Sequence, residues 1–175
     1  MGTHRLIAHA DSPPKGVDSV DVRWFETGDR LVLRYQVTGI DTLVVPSFGG
    51  KGRAEDLWQT TCFELFLKDA DGSYREFNFS PSERWAAYRF TAYRSGRSDT
   101  ETEPPPEIAS SAGEHLFIAT VMLDTTLLAG AELVGLSAVI EEKDGTKSYW
   151  ALAHPPGQPD FHDPACFALP IAAAN

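Results

Sequence analysis

Seven side chains in this sequence have types suited to holding a small polar ligand: Trp58, Glu64, Asn78, Trp85, Arg89, Trp150 and His154. A carboxylate accepts hydrogen bonds, a guanidinium donates them and a carboxamide does both. Glu64, Arg89 and Asn78 therefore suit the paired bonds that vicinal hydroxyls make. An indole offers a flat apolar face, and the apolar side of a pyranose ring stacks on such a surface. Trp58 precedes Glu64 in an approach loop, where it can overhang the face that Glu64 occupies, and Trp150 ends another strand-like run as an opposing ring. This chemistry points to a saccharide or other small polar ligand.

Two other chemistries need weighing. The tail AHPPGQPDFHD holds His154, Asp160, His162 and Asp163, all metal-ligand types, but their spacing fits no standard zinc site. Fixing the loop through hydrogen bonds is the better role, and a His154–Asp160 pair pinning the tail over the mouth of the fold is a second way to do it. No metal is expected. Glu64 with Glu76, or with Asp160, has the residue types of a glycosidase carboxylate pair. Nothing in the sequence supplies the cleft or the separation of acidities that such a pair needs. GxSxG, HExxH, P-loop and GxGxxG patterns are absent. The expectation is a noncatalytic binding module, not an enzyme.

The elements that must position these residues are strands. In 61–80, TCFELFLKDADGSYREFNFS, the triplet Ala70-Asp71-Gly72 suits a type I turn closed by a left-handed glycine. Asp69 then faces Ser73, Leu65 faces Phe77 and Phe63 faces Phe79. On the opposite side Glu64 meets Asn78 and Phe66 meets Glu76. A register shifted by one would set Glu64 beside Phe77 in the core, at high cost. The next turn, at 81–84, leaves two outcomes for 85–93. If Ala86, Tyr88 and Phe90 are core, Trp85 and Arg89 join Glu64 and Asn78; a three-residue turn inverts that choice.

Elsewhere, 30–38 (RLVLRYQVT) alternates apolar and polar residues with period two, and similar runs occur at 5–10, 20–26, 115–123, 132–141 and 148–153. Turn signals separate them, and only 124–130 reads as one helical turn, capped by Asp124 and stopped by Gly130. The segment 96–113, with its three prolines, reads as a mobile loop or irregular edge. The whole, 1–175, is one all-β domain, a sandwich or a barrel.

The formal net charge of -10 disfavours nucleic acid as a partner, and no apolar run is long enough to span a membrane. Cys62 and Cys166 fit no redox or metal motif and are expected as buried free thiols. The first residues lack a basic-then-apolar leader, so the default compartment is the cytoplasm, with secretion left open. Oligomeric state is not legible.

The stretches Asp56-Leu57-Trp58-Gln59, Cys62-Phe63-Glu64-Leu65-Phe66-Leu67 and Tyr74-Arg75-Glu76-Phe77-Asn78-Phe79-Ser80-Pro81 resemble DOMON-like domains related to family 9 carbohydrate-binding modules. The ending Tyr149-Trp150-Ala151-Leu152-Ala153-His154-Pro155-Pro156, with Pro159-Asp160-Phe161-His162, resembles an uncharacterised bacterial DOMON-like branch. The resemblance implies a jelly-roll-like β-sandwich of about ten strands that binds sugar or haem. In the carbohydrate-binding relatives two tryptophans clamp a terminal sugar while a glutamate bonds its hydroxyls, matching Trp58 and Glu64 here and, more loosely, Trp150 and Arg89. Haem would need axial Met and His ligands, and the one internal methionine is Met122 in an apolar run. Haem and a protein-interaction role are the alternatives to sugar.

Overall fold

The computed structural model describes residues 2–171, which are built mainly of strands. The chain opens with β1 (Gly2–Ala8), β2 (Ser19–Thr27), β3 (Arg30–Thr38) and the two-residue β4 (Gly52–Arg53). Next come β5 (Cys62–Asp69), β6 (Tyr74–Phe79), β7 (Arg84–Phe90) and the short β8 (Ser98–Asp99). β9 (Glu107–Ala112), β10 (Leu116–Asp124), β11 (Ala131–Glu141), β12 (Lys147–Ala151) and β13 (Leu169–Pro170) complete the set. Helical structure among the described residues is confined to short 3-10 turns, one of them Thr125–Leu128, capped by the Asp124 carboxylate as its sequence suggests. No helix of the described residues is long and apolar enough to cross a membrane.

The fold is all-β, and its strands join in one hydrogen-bonded path: β4-β7-β6-β5-β11-β12-β1-β2-β3-β10-β9, with β13 on β11 and β8 on β7. The hinge of the path is β1, whose Gly2–Leu6 stretch pairs with β2 while Ile7 and Ala8 pair with β12. The sheet curls there, and its two halves bury their inner faces against each other. Tyr35 of β3 and Phe117 of β10 meet the Phe63 ring of β5 at 4.8 and 6.2 Å between centroids.

Alternation explains which side chains enter that core. On β5 and β6 they are Phe63, Leu65, Leu67, Phe77 and Phe79, all essentially buried. Each contributes roughly 1.5–3 kcal/mol of hydrophobic burial, enough to fix the parity of both strands. The turn between them has the expected form: Asp69 N donates to Ser73 O at 2.9 Å, and Gly72 adopts φ 87°. Phe63 pairs with Phe79, Glu64 with Asn78, Leu65 with Phe77 and Phe66 with Glu76.

The next turn takes the three-residue outcome. Ser80 N donates to Arg84 O at 2.9 Å across Pro81-Ser82-Glu83, and Glu83 takes the left-handed position at φ 67°. Phe79 therefore pairs with Trp85, and Asn78 pairs with Ala86. Trp85 is buried in the core, so its expected place beside Glu64 is corrected. Arg89 is corrected with it: it shares the inward parity, where its guanidinium donates to Ser73 Oγ at 3.2 Å and lies 3.9 Å from Asp69. Tyr88 and Phe90 take the outer face instead.

Part of 96–113 is also more regular than its composition suggests. β9 pairs with β10 from Phe117↔Ala112 to Met122↔Glu107. Its exposed serines, Ser110 and Ser111, and the prolines before it suit an edge strand, whose polar sequence reads like a loop.

The tail after β12 crosses the outer face of β5, β6 and β7. Phe161, Cys166 and Phe167 form a second apolar cluster there with Phe66, Tyr74 and Phe90. Cys62 and Cys166 are buried and unpaired, as expected. The tail seats closely over Gly135 of β11, where an added Cβ would stand 2.8 Å from Phe167 Cδ1 and 3.2 Å from Phe66 Cβ. Gly135→Ala should therefore destabilise the domain by about 1–3 kcal/mol in urea unfolding, with limited proteolysis cutting first within 152–168. An unchanged midpoint would show that the tail does not press on this strand.

Candidate functional site

The outer face of β5 is unusual because it is covered without being filled. From Cys62 to Leu67 every residue of the strand is buried on one side or the other. The outward members meet the tail and the 3-10 turn Leu57–Gln59, while the tip of the hairpin after β7 reaches Tyr74 of β6, whose hydroxyl accepts from Arg94 N at 3.1 Å. Between these covers and the sheet lies a cavity of about 630 Å³, lined by Trp58, Glu64, Glu76, Tyr88, Arg94, Arg97, Tyr149, Asp160 and His162 among others. That volume lies within the range of small-molecule sites. The surface over Glu64 is concave, not flat.

Glu64 leaves only 3% of its surface exposed. Its backbone carbonyl accepts from Tyr35 Oη at 2.7 Å through the core. Its carboxylate points the other way, where Ser137 Oγ donates to Oε2 at 3.2 Å. Burial, then the nearby Glu76 charge, holds the Glu64 carboxyl well above the usual carboxylate range. Glu76, diagonal to it on β6, is also raised, chiefly by burial, against the bond it accepts from Asn78 Nδ2 at 2.7 Å. Asn78 is 1% exposed and lies behind the cavity wall. It orients Glu76 and does not face the cavity.

Trp58 is placed by the turn Leu57–Gln59, which Asp56 enters in the left-handed conformation at φ 57°. Leu57 packs on the outer apolar cluster, and the neighbouring indole stands at the cavity wall with half of its surface free. Trp150 was expected as the opposing ring and is not one. It pairs with Ala8 and Ala138, is buried in the core, and donates from Nε1 to Ser148 Oγ at 2.9 Å. Strand parity gives the outer position to Tyr149. His154 is likewise off the cavity: its Nε2 bonds Ile7 O at 2.8 Å, which ties the tail to β1.

The remaining wall is a set of paired charges. Arg97 lies over the Tyr88 ring at 4.1 Å and donates to Glu55 Oε2 at 3.0 Å, the oxygen that also accepts from Tyr88 Oη at 2.7 Å. Arg94 donates to Asp160 Oδ1 at 2.6 Å, and Tyr93 Oη donates to Oδ2 of the same carboxylate. Asp160 thus anchors the tail as a loop-fixing residue, though through Arg94 and not through His154. Desolvation pulls its pKa upward, and the bonds from Arg94 and Tyr93 outweigh that and leave it lowered. His162 bonds Tyr74 Oη at 2.9 Å and turns Nε2 toward Glu76 Oε2 at 3.7 Å. Burial, with Arg94 and Arg97 close by, holds His162 down at about 4, so it is neutral at physiological pH.

The structure brings together Trp58 and Glu64 at the cavity, with Asn78 behind them, and separates Trp85, Arg89, Trp150 and His154 from it. Met122 sits on β10, paired with Val32 and Glu107 in the other half of the sheet. Tyr88, Tyr149, Arg94, Arg97 and His162 lie outside the set drawn from sequence. The two tyrosines follow from strand parity once the turn at 81–83 is known; the arginines and His162 come from loops without a periodic signal.

No protein-family model matches the chain, and no curated protein matches it. Among solved structures it is similar to a Bacteroides uniformis protein whose name proposes carbohydrate binding, with TM-score 0.69 and 20% identity over 95% of this chain and 84% of that one. A family 9 carbohydrate-binding module from Caldicellulosiruptor kristjanssonii, in complex with glucose, aligns with TM-score 0.47 and 9% identity over 83% and 72% of the two chains. The first of these shares the fold.

The raised carboxyl has a consequence for stability. An unfolded glutamate releases its proton near 4.5, whereas folded Glu64 keeps its proton to higher pH. The folded state then binds more protons than the unfolded one, so stability present below that value is lost as pH rises through the folded one. Glu64→Gln should escape the loss. At about pH 7 the variant should melt a few degrees above the parent, about 1 kcal/mol for a domain of this size, and the difference should close at about pH 4. A variant equally or less stable at both pH values would contradict the environment described for Glu64.

Proposed function

We propose that this domain is a noncatalytic carbohydrate-binding module whose ligand enters the cavity over Glu64 and stacks on Trp58. The observation that carries the reading is a half-exposed indole on the wall of a concave cavity whose floor holds a buried carboxylate. An exposed indole costs hydration that a sugar face can recover, and a carboxylate with spare lone pairs accepts from hydroxyl donors. Tyr88 and Tyr149 add amphipathic rings around the same space.

The fold likeness to a protein named for carbohydrate binding supports the reading. The resemblance of the stretches 56–59, 62–67 and 74–81 to DOMON-like domains related to family 9 carbohydrate-binding modules points the same way. Binding without catalysis is favoured by the carboxyls themselves. Glu64 and Glu76 are both pushed upward by burial, and Asp160, which is lowered, has both carboxylate oxygens engaged by Arg94 and Tyr93. Glycoside hydrolysis needs two free carboxyls whose acidities are pushed apart.

The chain has four tryptophans, and Trp24, Trp85 and Trp150 are each at most 8% exposed. A ligand-induced change in emission or in acrylamide quenching therefore reports Trp58. Titration with a panel of monosaccharides and β-linked disaccharides should shift that emission. Trp58→Ala should abolish the signal and weaken calorimetric binding by about 10- to 100-fold, on the scale of losing one well-packed aromatic contact, with the thermal midpoint unchanged. No binding across the panel, or full binding by the variant, would overturn the reading.

A further inference from the structure

The charges around the cavity do not cancel uniformly. On the walls they do: Arg94 is matched by Asp160, and Arg97 by Glu55, each within 3.0 Å. On the floor they do not. Among the described residues, no lysine or arginine comes within 4.0 Å of Glu64 or Glu76 to form an ion pair. Arg97 and Arg94 act on Glu76 only from beyond that distance, and the ionisable nitrogen within it is that of His162. His162 is held neutral by burial and by the two arginines, so it brings no charge to the floor. Asp56 on the cavity wall adds a further carboxylate, with no ion-pair partner within that distance among the described residues.

The floor is also short of donors. Glu64, more than nine-tenths buried, receives one side-chain donor, Ser137 at Oε2, and its Oε1 is left to the cavity. Glu76 receives Asn78 at Oε1, and its Oε2 has only the 3.7 Å approach of His162. Two adjacent buried carboxyls in this state repel one another, and the protein relieves the repulsion by holding protons at the cost of acceptor capacity. A ligand cation would relieve it by charge, and the half-exposed Trp58 ring is a favourable surface for such a group.

Resting on the carbohydrate reading, we infer that the preferred ligand is an amino sugar, whose protonated amine sits between Glu64 and Glu76 while its ring stacks on Trp58. A neutral hexose would make the same stacking contact but leave the paired carboxyls uncompensated. An N-acetylated sugar would place a neutral amide where the charge is wanted. The ammonium donates three hydrogen bonds, and the open oxygens of the two glutamates accept them.

The experiment is calorimetric titration of the full chain at about pH 7, where a sugar amine is largely protonated, with D-glucosamine, D-glucose, N-acetyl-D-glucosamine and methylammonium. Glucosamine should bind at least about tenfold more tightly than each of the other three, a difference on the scale of one compensated charge. Glu64→Gln and Glu76→Gln should each bring the glucosamine-to-glucose affinity ratio, measured within the same variant, down to about threefold or less. Glucose binding as tightly as glucosamine overturns the amino-sugar inference and leaves the carbohydrate reading standing. Methylammonium matching glucosamine overturns the sugar part, and silence from every ligand overturns both. A preference that survives both glutamine variants removes the two carboxyls from the account.

Discussion

At Glu64 two demands on one residue meet. Its carbonyl is held from inside by the hydroxyl of Tyr35, which spans the core from the opposite half of the curled sheet. Its carboxylate is turned to the outside, into a cavity roofed by the tail. A buried hydroxyl–carbonyl bond contributes about 1 kcal/mol when made and costs more when one partner is orphaned. It therefore fixes the depth of β5 relative to β3. With the flanking Phe63 and Leu65 anchored in the core, parity forces the Glu64 side chain outward. The site begins as a by-product of core packing on the other face.

The rest of the site answers to that constraint. A carboxylate on a covered face is tolerable only if the cover leaves room or supplies partners. The structure does some of each: Ser137 and Asn78 supply single bonds, and the cavity supplies room. The cover is held at its margins, away from the glutamates. Asp160 clamps the tail to Tyr93 and Arg94, His154 ties it to β1, and Phe161 and Phe167 press on the outer apolar cluster. Placing the ion pairs on the walls leaves the floor rich in acceptors, which is the chemistry the proposed ligand needs.

How much of this is legible in sequence depends on whether local chemistry states the geometry. The β5–β6 hairpin is legible because Asp71-Gly72 names its turn and Phe63, Leu65, Phe77 and Phe79 name its inner face. The β6–β7 turn is not, because Glu83 occupies the left-handed position where a glycine would announce it. That one unannounced residue moves Trp85 and Arg89 to the inner side and brings Tyr88 out. Trp150 and Tyr149 are adjacent ring-bearing residues on one strand, and only the pairing of Ala151 with Ser137 settles which of them faces outward. The tail has no periodicity at all. His162 and Tyr74 are 88 residues apart in sequence, and such a contact is set by tertiary packing alone.

The most direct test of the account is a crystal structure of the domain grown with a saturating saccharide. It should show one ring stacked on the Trp58 indole, with a ligand donor within hydrogen-bonding distance of Glu64 Oε1 and the tail still seated over Gly135. A saccharide bound elsewhere on the surface, with the space over Glu64 filled by the protein's own side chains, would contradict it.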